Sequence, residues 1–389
     1  MTKPAVGFCL ALSLVTALSA FAQNAYVDSN IGQMPDQNSV SAYWTNGMGL
    51  LTPIVGSPFL TGGTGVFSSN PLQAPGFMAD QQLVTNAART LLFAVNGHSN
   101  TISSFSIQSD GSLILVGNVN SGGQDPVSLA LDEKSLAGTQ LSVINQAQDP
   151  SQGGGVPNLT SFLVGSSGAL TPVTRSTVSF PAQSIPFEAV ASPSGKFLFT
   201  VESNVGGTLN SYSIGVGGRF VLNNSVSPAL GSHFMGIAVH PALRAIYVAV
   251  PDTHLIEIYT YNTQGALAYH GSVNNPGQGV GWLAVSSGGY RLYSAESGSN
   301  SVTMYDLTES KYLKPVQLQH LTLKPGGSPA NIKVSAGNTF LYVLGLDETG
   351  SGNSYLHAIN TGNLLSETSS PVAIPEPSGE IPEGIAITY

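Results

Sequence analysis

Apolar and polar residues alternate along most of the chain in short runs, as in Thr101-Ile102-Ser103-Ser104-Phe105-Ser106-Ile107 and Leu255-Ile256-Glu257-Ile258-Tyr259. A period of two marks strands that bury one face. Clusters of Gly, Asn, Asp and Pro end the runs, and past the N-terminal apolar stretch no helical period is found. The runs themselves recur. Apolar strands anchored on Tyr26, Phe93, Ser142, Phe199, Tyr247, Tyr293 and Tyr342 return at intervals of roughly 50 residues, the length of one four-stranded propeller blade. The pattern predicts an all-β fold, a seven-bladed β-propeller.

One repeat reads as strand a at Val127–Leu131, b at Gln140–Asn145, c at Leu159–Val164 and d at Leu170–Thr174. A Gly precedes strand d at Gly49, Gly111, Gly168 and Gly265, where a tight hairpin needs positive φ. The chain opens on strands b, c and d at Ala25–Val55 and closes on Glu383-Gly384-Ile385-Ala386-Ile387-Thr388-Tyr389, which matches strand a. The last strand is therefore expected to complete the first blade, closing the ring and removing an open edge. Residues 61–80, rich in Gly, Ser and Pro, read as an insertion that is either an excursion over one face or a disordered loop.

Residues 1–22 read as an export signal: Lys3 gives the positive start, Ala5–Leu18 the apolar stretch and Ala20-Phe21-Ala22 the cleavage site. Residues 23–389 then form a single propeller, exported to the periplasm or beyond the cell, with no transmembrane segment left after cleavage. The single cysteine, Cys9, lies inside the signal, so disulfides and cysteine chemistry are excluded. The net charge of −9 and the lack of any Lys/Arg cluster argue against nucleic acid, which requires a basic face. A monomer is expected.

The chain resembles the lactonase family of seven-bladed propellers, which includes 6-phosphogluconolactonase and the carboxymuconate-lactonizing enzyme. The resemblance rests on Leu92-Phe93-Ala94-Val95-Asn96, the run Asn100–Ile107, Asp110-Gly111-Ser112-Leu113, Gly56-Ser57-Pro58-Phe59, Ser192-Pro193-Ser194-Gly195 and Val239-His240-Pro241. These are turn and strand residues, and they carry the fold more than the activity. The enzymes typically have Gly-Pro-Arg-His before the strand that ends in His-Pro. Here Phe234, Met235 and Gly236 stand at the Pro, Arg and His places. Their next strand ends in Asn-Glu, and this one in Val250-Pro251. Glu202 stands where they tend to have an Asp.

In a propeller the start of strand a and the end of strand b share one channel mouth. The first set is Gln82, Ser128, Glu188, Gly236, Trp282, Asn331 and Gly384; the second includes Asn96, Asn145, Glu202 and Glu296. Glu188 and Glu202 fall on one hairpin, and two close carboxylates would raise one pKa toward that of a general acid or base. Glu202 and Glu296 with Asn96 or Asn145 alternatively form a hard-oxygen set suited to a divalent cation; no cofactor is otherwise expected. The plain alternative is that these groups cap strand ends. Trp282 either stacks on a sugar ring or fills space between blades. His233 is the histidine placed nearest the mouth, and no histidine pair has metal-ligand spacing. Lys333 occupies a strand position held elsewhere by Ala or Val, so it needs an acidic partner or an outlet into the channel. Lys196 and Arg244 fall in equivalent turns and read as solvated.

Two functional readings follow. One is an exported lactonase-like hydrolase of a neutral lactone or sugar ester, with Glu188 or Glu202 activating water. The other is a non-catalytic propeller that binds a glycan or an envelope protein. A phosphorylated lactone fits poorly with export and with the missing Arg.

Overall fold

The computed structural model describes residues 23–67, 79–203, 206–308, 313–325, 327–346, 353–367, 371–375, 377 and 380–388. The expected export signal and most of the expected insertion lie outside these residues. Seven antiparallel sheets follow one another, and the innermost strand of each packs on the next to make a ring. The innermost strands are Glu383–Ile387 in blade 1, Leu83–Thr85 in blade 2, Pro126–Asp132 in blade 3 and Ile185–Ala191 in blade 4. Ile237–Val239, Val280–Val285 and Ser328–Val334 follow in blades 5, 6 and 7. A short helical turn, Ser297–Ser299, lies between the second and third strands of blade 6. Among the described residues no helix is long and apolar enough to cross a membrane.

The repeat anchors fall on the second strand of each blade, and all seven are buried, with relative exposures of 0–1%. They pack between sheets, where the inward face of each strand meets the next blade; this burial is the main stabilising term of a cysteine-free ring. The four glycines before the outer strands have φ of 83–90°, so the hairpin reason for a Gly holds at each. The outer strand is shorter than expected in blade 3: it stops at Pro172 and resumes as Val178–Ser179.

The last strand closes the ring. Ala25, Tyr26 and Val27 pair with Ile387, Ala386 and Ile385, so blade 1 takes its innermost strand from the far end of the chain. Asn24 N donates to the Thr388 hydroxyl at 2.8 Å and extends the same seam.

Candidate functional site

The ring axis is occupied. Residues 79–82, which start in the last two positions of the expected insertion, run across it and pair their backbone groups with several blades, as buried amides must. Asp80 N donates to Phe187 O of blade 4 (3.4 Å), and Gln81 O accepts from Leu129 N of blade 3 (2.9 Å). Ala79 O accepts from Asn331 Nδ2 of blade 7 (3.2 Å) and from Gln82 Nε2 (3.0 Å). Groups from blades 3, 4 and 7 can meet one short segment only at the centre of the ring.

Asp80 is the hub of this crossing and is 1% exposed. Its Oδ1 accepts from Gln81 N at 2.6 Å and from Asn331 Nδ2 at 3.0 Å. Lys333 Nζ lies 3.4 Å from both Asp80 oxygens. The partner that the sequence demanded for Lys333 is therefore Asp80, contributed by a segment without any strand pattern. Glu188 completes the group. Its Oε1 accepts from Gln81 Nε2 at 2.9 Å and its Oε2 from Ile237 N at 2.8 Å. Burial first and the Asp80 charge second push the Glu188 carboxyl up to about 8, against the opposing pull of Lys333. Burial thus favours the protonated form of Glu188.

The remaining strand-start residues frame the group. Gln82 is fully buried and its Oε1 lies 3.4 Å from Asn331 Nδ2; Asn331 Oδ1 accepts from Gly384 N at 2.7 Å. Three further buried acids lie nearby. Burial raises Asp28 and Asp125 to about 7, and raises Glu383 well above the usual carboxylate range, with the Asp28 and Asp125 charges adding to the shift. Asp125 Oδ1 and Glu383 Oε1 have no hydrogen-bond partner among the described residues.

The strand-b ends turn away from the axis. Asn96 donates to Thr101 and Ser103 and accepts from Asn38 and Thr61. Asn145 donates to Asn158 at 2.9 Å. Glu202 accepts from Ser184 and from Asn210 Nδ2, the latter at 2.7 Å. Glu296 accepts from Ser294, Asn275 and Ser301, and burial raises it to about 7. Asn145, Glu202 and Glu296 are held by partners of their own blade or the adjoining loop, and Asn96 also by Asn38 and Thr61 of the blade 1 side; this is the capping role. The carboxylate acting on Glu188 is Asp80; Glu202, opposite Pro186 in the hairpin register, is absent from its contacts and from the causes of its shift. Trp282 is 3% exposed and packed in the core, the space-filling alternative. His233 is part-exposed, with Nδ1 3.0 Å from Ser232 Oγ and 3.8 Å from Asp252 Oδ1.

Open space lies on the other side of the crossing segment. A cavity of about 190 Å³ is lined by Leu83–Thr85, Leu131 and Ile385–Ile387, with Gln81 and Lys333 as its polar members besides Thr85. It follows the innermost strands of blades 1, 2, 3 and 7 toward their C-terminal ends, the end opposite to the expected mouth. A nucleophilic triad fails on geometry. Ser151 Oγ and Asp149 Oδ2 both meet His98 Nδ1, at 3.0 and 2.7 Å, whereas a nucleophilic triad needs one partner on each ring nitrogen. Among the described residues no group of three or more His, Cys, Asp or Glu is arranged to hold a metal ion.

The place of the typical His is closed. Gly236 N donates to Gly281 O at 2.8 Å, joining the innermost strands of blades 5 and 6. A Cβ on Gly236 would lie 2.5 Å from Gly281 O and 2.9 Å from the Trp282 ring.

A seven-bladed propeller with an acid–lysine group buried on its axis defines the class of protein. The family description "Lactonase, 7-bladed beta-propeller" matches residues 146–349, more than half of the chain, and the chain belongs to that family. Solved structures agree in fold. The periplasmic gluconolactonase of Pseudomonas aeruginosa is 15% identical, with a TM-score of 0.70 over 95% of this chain and 99% of that one. A candidate 6-phosphogluconolactonase of Bacteroides fragilis is 16% identical, with a TM-score of 0.68 over 96% and 99%. A Lactobacillus plantarum protein is 16% identical, with a TM-score of 0.71 over 95% and 100%. A search of the curated proteins found no match.

Proposed function

We propose that the protein is an exported lactonase-type hydrolase that opens a small neutral lactone or a related sugar ester. The observation that carries this reading is the Lys333 ammonium at the inner end of the axial cavity, fixed by Asp80 and backed by Glu188. In lactone hydrolysis water adds to the carbonyl carbon, the ring C–O bond breaks and the ring oxygen departs with a proton. The reaction needs a donor where the carbonyl oxygen gains charge and a group that exchanges a proton near neutral pH. Lys333 supplies the first. Glu188, raised to about 8, supplies the second from behind the cavity-lining Gln81, to which it is hydrogen-bonded.

The cavity favours a single small ring, because its volume lies below the ~300 Å³ at which ordinary ligand pockets begin. Most of its lining side chains are apolar, and the Lys333 charge is already matched by Asp80, so a neutral lactone fits better than a phosphorylated one. Family membership and the likeness to a gluconolactonase support the reaction class. The N-terminal segment built from Lys3, Ala5–Leu18 and Ala20-Phe21-Ala22 supports export.

The test is a proton-release assay of the purified protein on a panel of lactones, with and without a chelator. Turnover of at least one lactone, lost in Lys333→Met, is expected. No turnover above buffer on any lactone overturns the reading. That result would favour a non-catalytic propeller binding a glycan or an envelope protein, a reading helped by the closed position at Gly236.

A further inference from the structure

A second cavity, of about 210 Å³, lies between blades 4 and 5, at the turns that join first and second strands. Phe197 and Tyr261 form its floor, their rings 5.9 Å apart and near perpendicular. Lys196 and Arg244 stand over it from equivalent turns, each just before the second strand of its blade. Both are exposed, and neither is ion-paired among the described residues. No Asp or Glu lines the cavity. The chain has 12 Lys and Arg against 21 Asp and Glu, so two unmatched cations over one aromatic floor run against its charge balance. Tyr261 and Arg244 line the same cavity, and the Arg244 charge opposes the rise that burial gives the Tyr261 hydroxyl.

We propose that this cavity binds a small organic anion, a single ring carrying a carboxylate or phosphate, with the oxyanion between Lys196, Arg244 and the Tyr261 hydroxyl. A guanidinium fork and an ammonium are the natural partners of such a group, and charge-assisted hydrogen bonds are the strong ones. Phe197 and Leu243 give the ring an apolar surface. The sequence alone left Lys196 and Arg244 as solvated turn residues; their convergence arises only when blades 4 and 5 are laid side by side.

Ligand-observed NMR with benzoate, its neutral isostere benzamide and inorganic phosphate tests the site on the purified protein. Benzoate is expected to bind, benzamide to bind roughly tenfold more weakly or not at all, and phosphate to displace benzoate. The double substitution Lys196→Ala, Arg244→Ala is expected to abolish benzoate binding with an unchanged melting temperature, because both residues sit in exposed turns. Equal binding of benzoate and benzamide, undiminished binding to the double variant, or no binding of either anion at millimolar concentration overturns the proposal. Lactone turnover is independent of this result, since no residue is shared with the axial cavity.

Discussion

The ammonium of Lys333 lies 3.4 Å from both carboxylate oxygens of Asp80, across 253 positions of sequence. The carboxylate is buried, and the Lys333 side chain is 24% exposed. Removing the cation leaves a buried anion with only Gln81 N and Asn331 Nδ2 to hold it, whereas removing both charges leaves no such penalty. Lys333→Met is expected to destabilise the ring by about 2 kcal/mol, less than a fully buried pair because solvent reaches the lysine. Asp80→Asn combined with Lys333→Met should recover most of that loss. Urea denaturation of the two single variants and the double variant measures the coupling; strictly additive losses would show that the pair does not interact.

Glu188 and Glu202 face different partners, and their substitutions should separate. Glu188→Gln removes the proton-exchanging group and is expected to lower lactone turnover by at least about 100-fold. Glu202→Gln keeps a side chain that can still accept from Asn210, and turnover should stay within a few-fold. With Glu188 acting as the acid, the rate should fall as pH rises through about 8. A profile flat from pH 6 to 9, on a lactone stable in buffer over that range, would remove Glu188 from the mechanism.

Five buried carboxyls share one direction of shift. Asp28, Asp125 and Glu296 are raised to about 7, Glu188 to about 8 and Glu383 well above its usual value. Between the ordinary carboxylate range and these values the folded chain binds more protons than the unfolded chain, so stability falls as pH rises. The contribution is whole below about pH 4 and is lost through pH 7–8. The melting temperature is expected to be several degrees higher at pH 5.5 than at pH 8.5, and Glu296→Gln should flatten that slope. A melting temperature that rises over the same interval would mean that these groups are ionised in the folded ring.

Closure by the last strand should be essential. Deleting residues from Glu383 onward removes the pairing with Ala25–Asp28 and exposes the surfaces against which Ile385, Ala386 and Ile387 are buried. At ~1.5–3 kcal/mol for each large apolar side chain, the loss is about 5 kcal/mol, comparable with the whole stability of many proteins. The shortened chain is expected to aggregate or melt far below the full one, as light scattering and circular dichroism would show. An unchanged melting temperature would mean that blade 1 stands without its inner strand.

The ring was legible because it is written in periodic residues: the buried anchors, the four glycines before the outer strands, and a closing strand a. The axis was legible only in part. Alignment of the repeats grouped Gln82, Glu188 and Asn331, and all three lie about Asp80 and Gln81, Gln82 just before its inner strand and the other two midway along theirs. Asp80 and Gln81 escaped that alignment, because they belong to a segment with no period, whose course depends on contacts with Phe187, Leu129 and Asn331 far along the chain. The strand-b ends misled for a different reason. Asn96, Asn145 and Glu296 stand opposite Thr101, Asn158 and Ser301 in the hairpin register. A polar residue facing another across a hairpin signals a cap, and the hairpin spacing alone carries that pairing.

Gly236 shows why the typical Arg and His cannot simply be restored. Its amide is bonded to Gly281 O, and any side chain there would begin 2.5 Å from that oxygen and 3.0 Å from the Trp282 Cα. These are backbone atoms, so relief requires blades 5 and 6 to part, at a cost of about 1–3 kcal/mol. Gly236→Ala is therefore expected to lower the melting temperature measurably, and Gly236→His to lower it further without gaining lactone turnover. The change from the usual pattern then lies in the approach of two strands as well as in the lost side chains. Under the proposed reading, hydrolysis uses Lys333 and Glu188 instead. A Gly236→His variant that is stable and faster than the parent would show instead that the usual site is intact and merely unfilled.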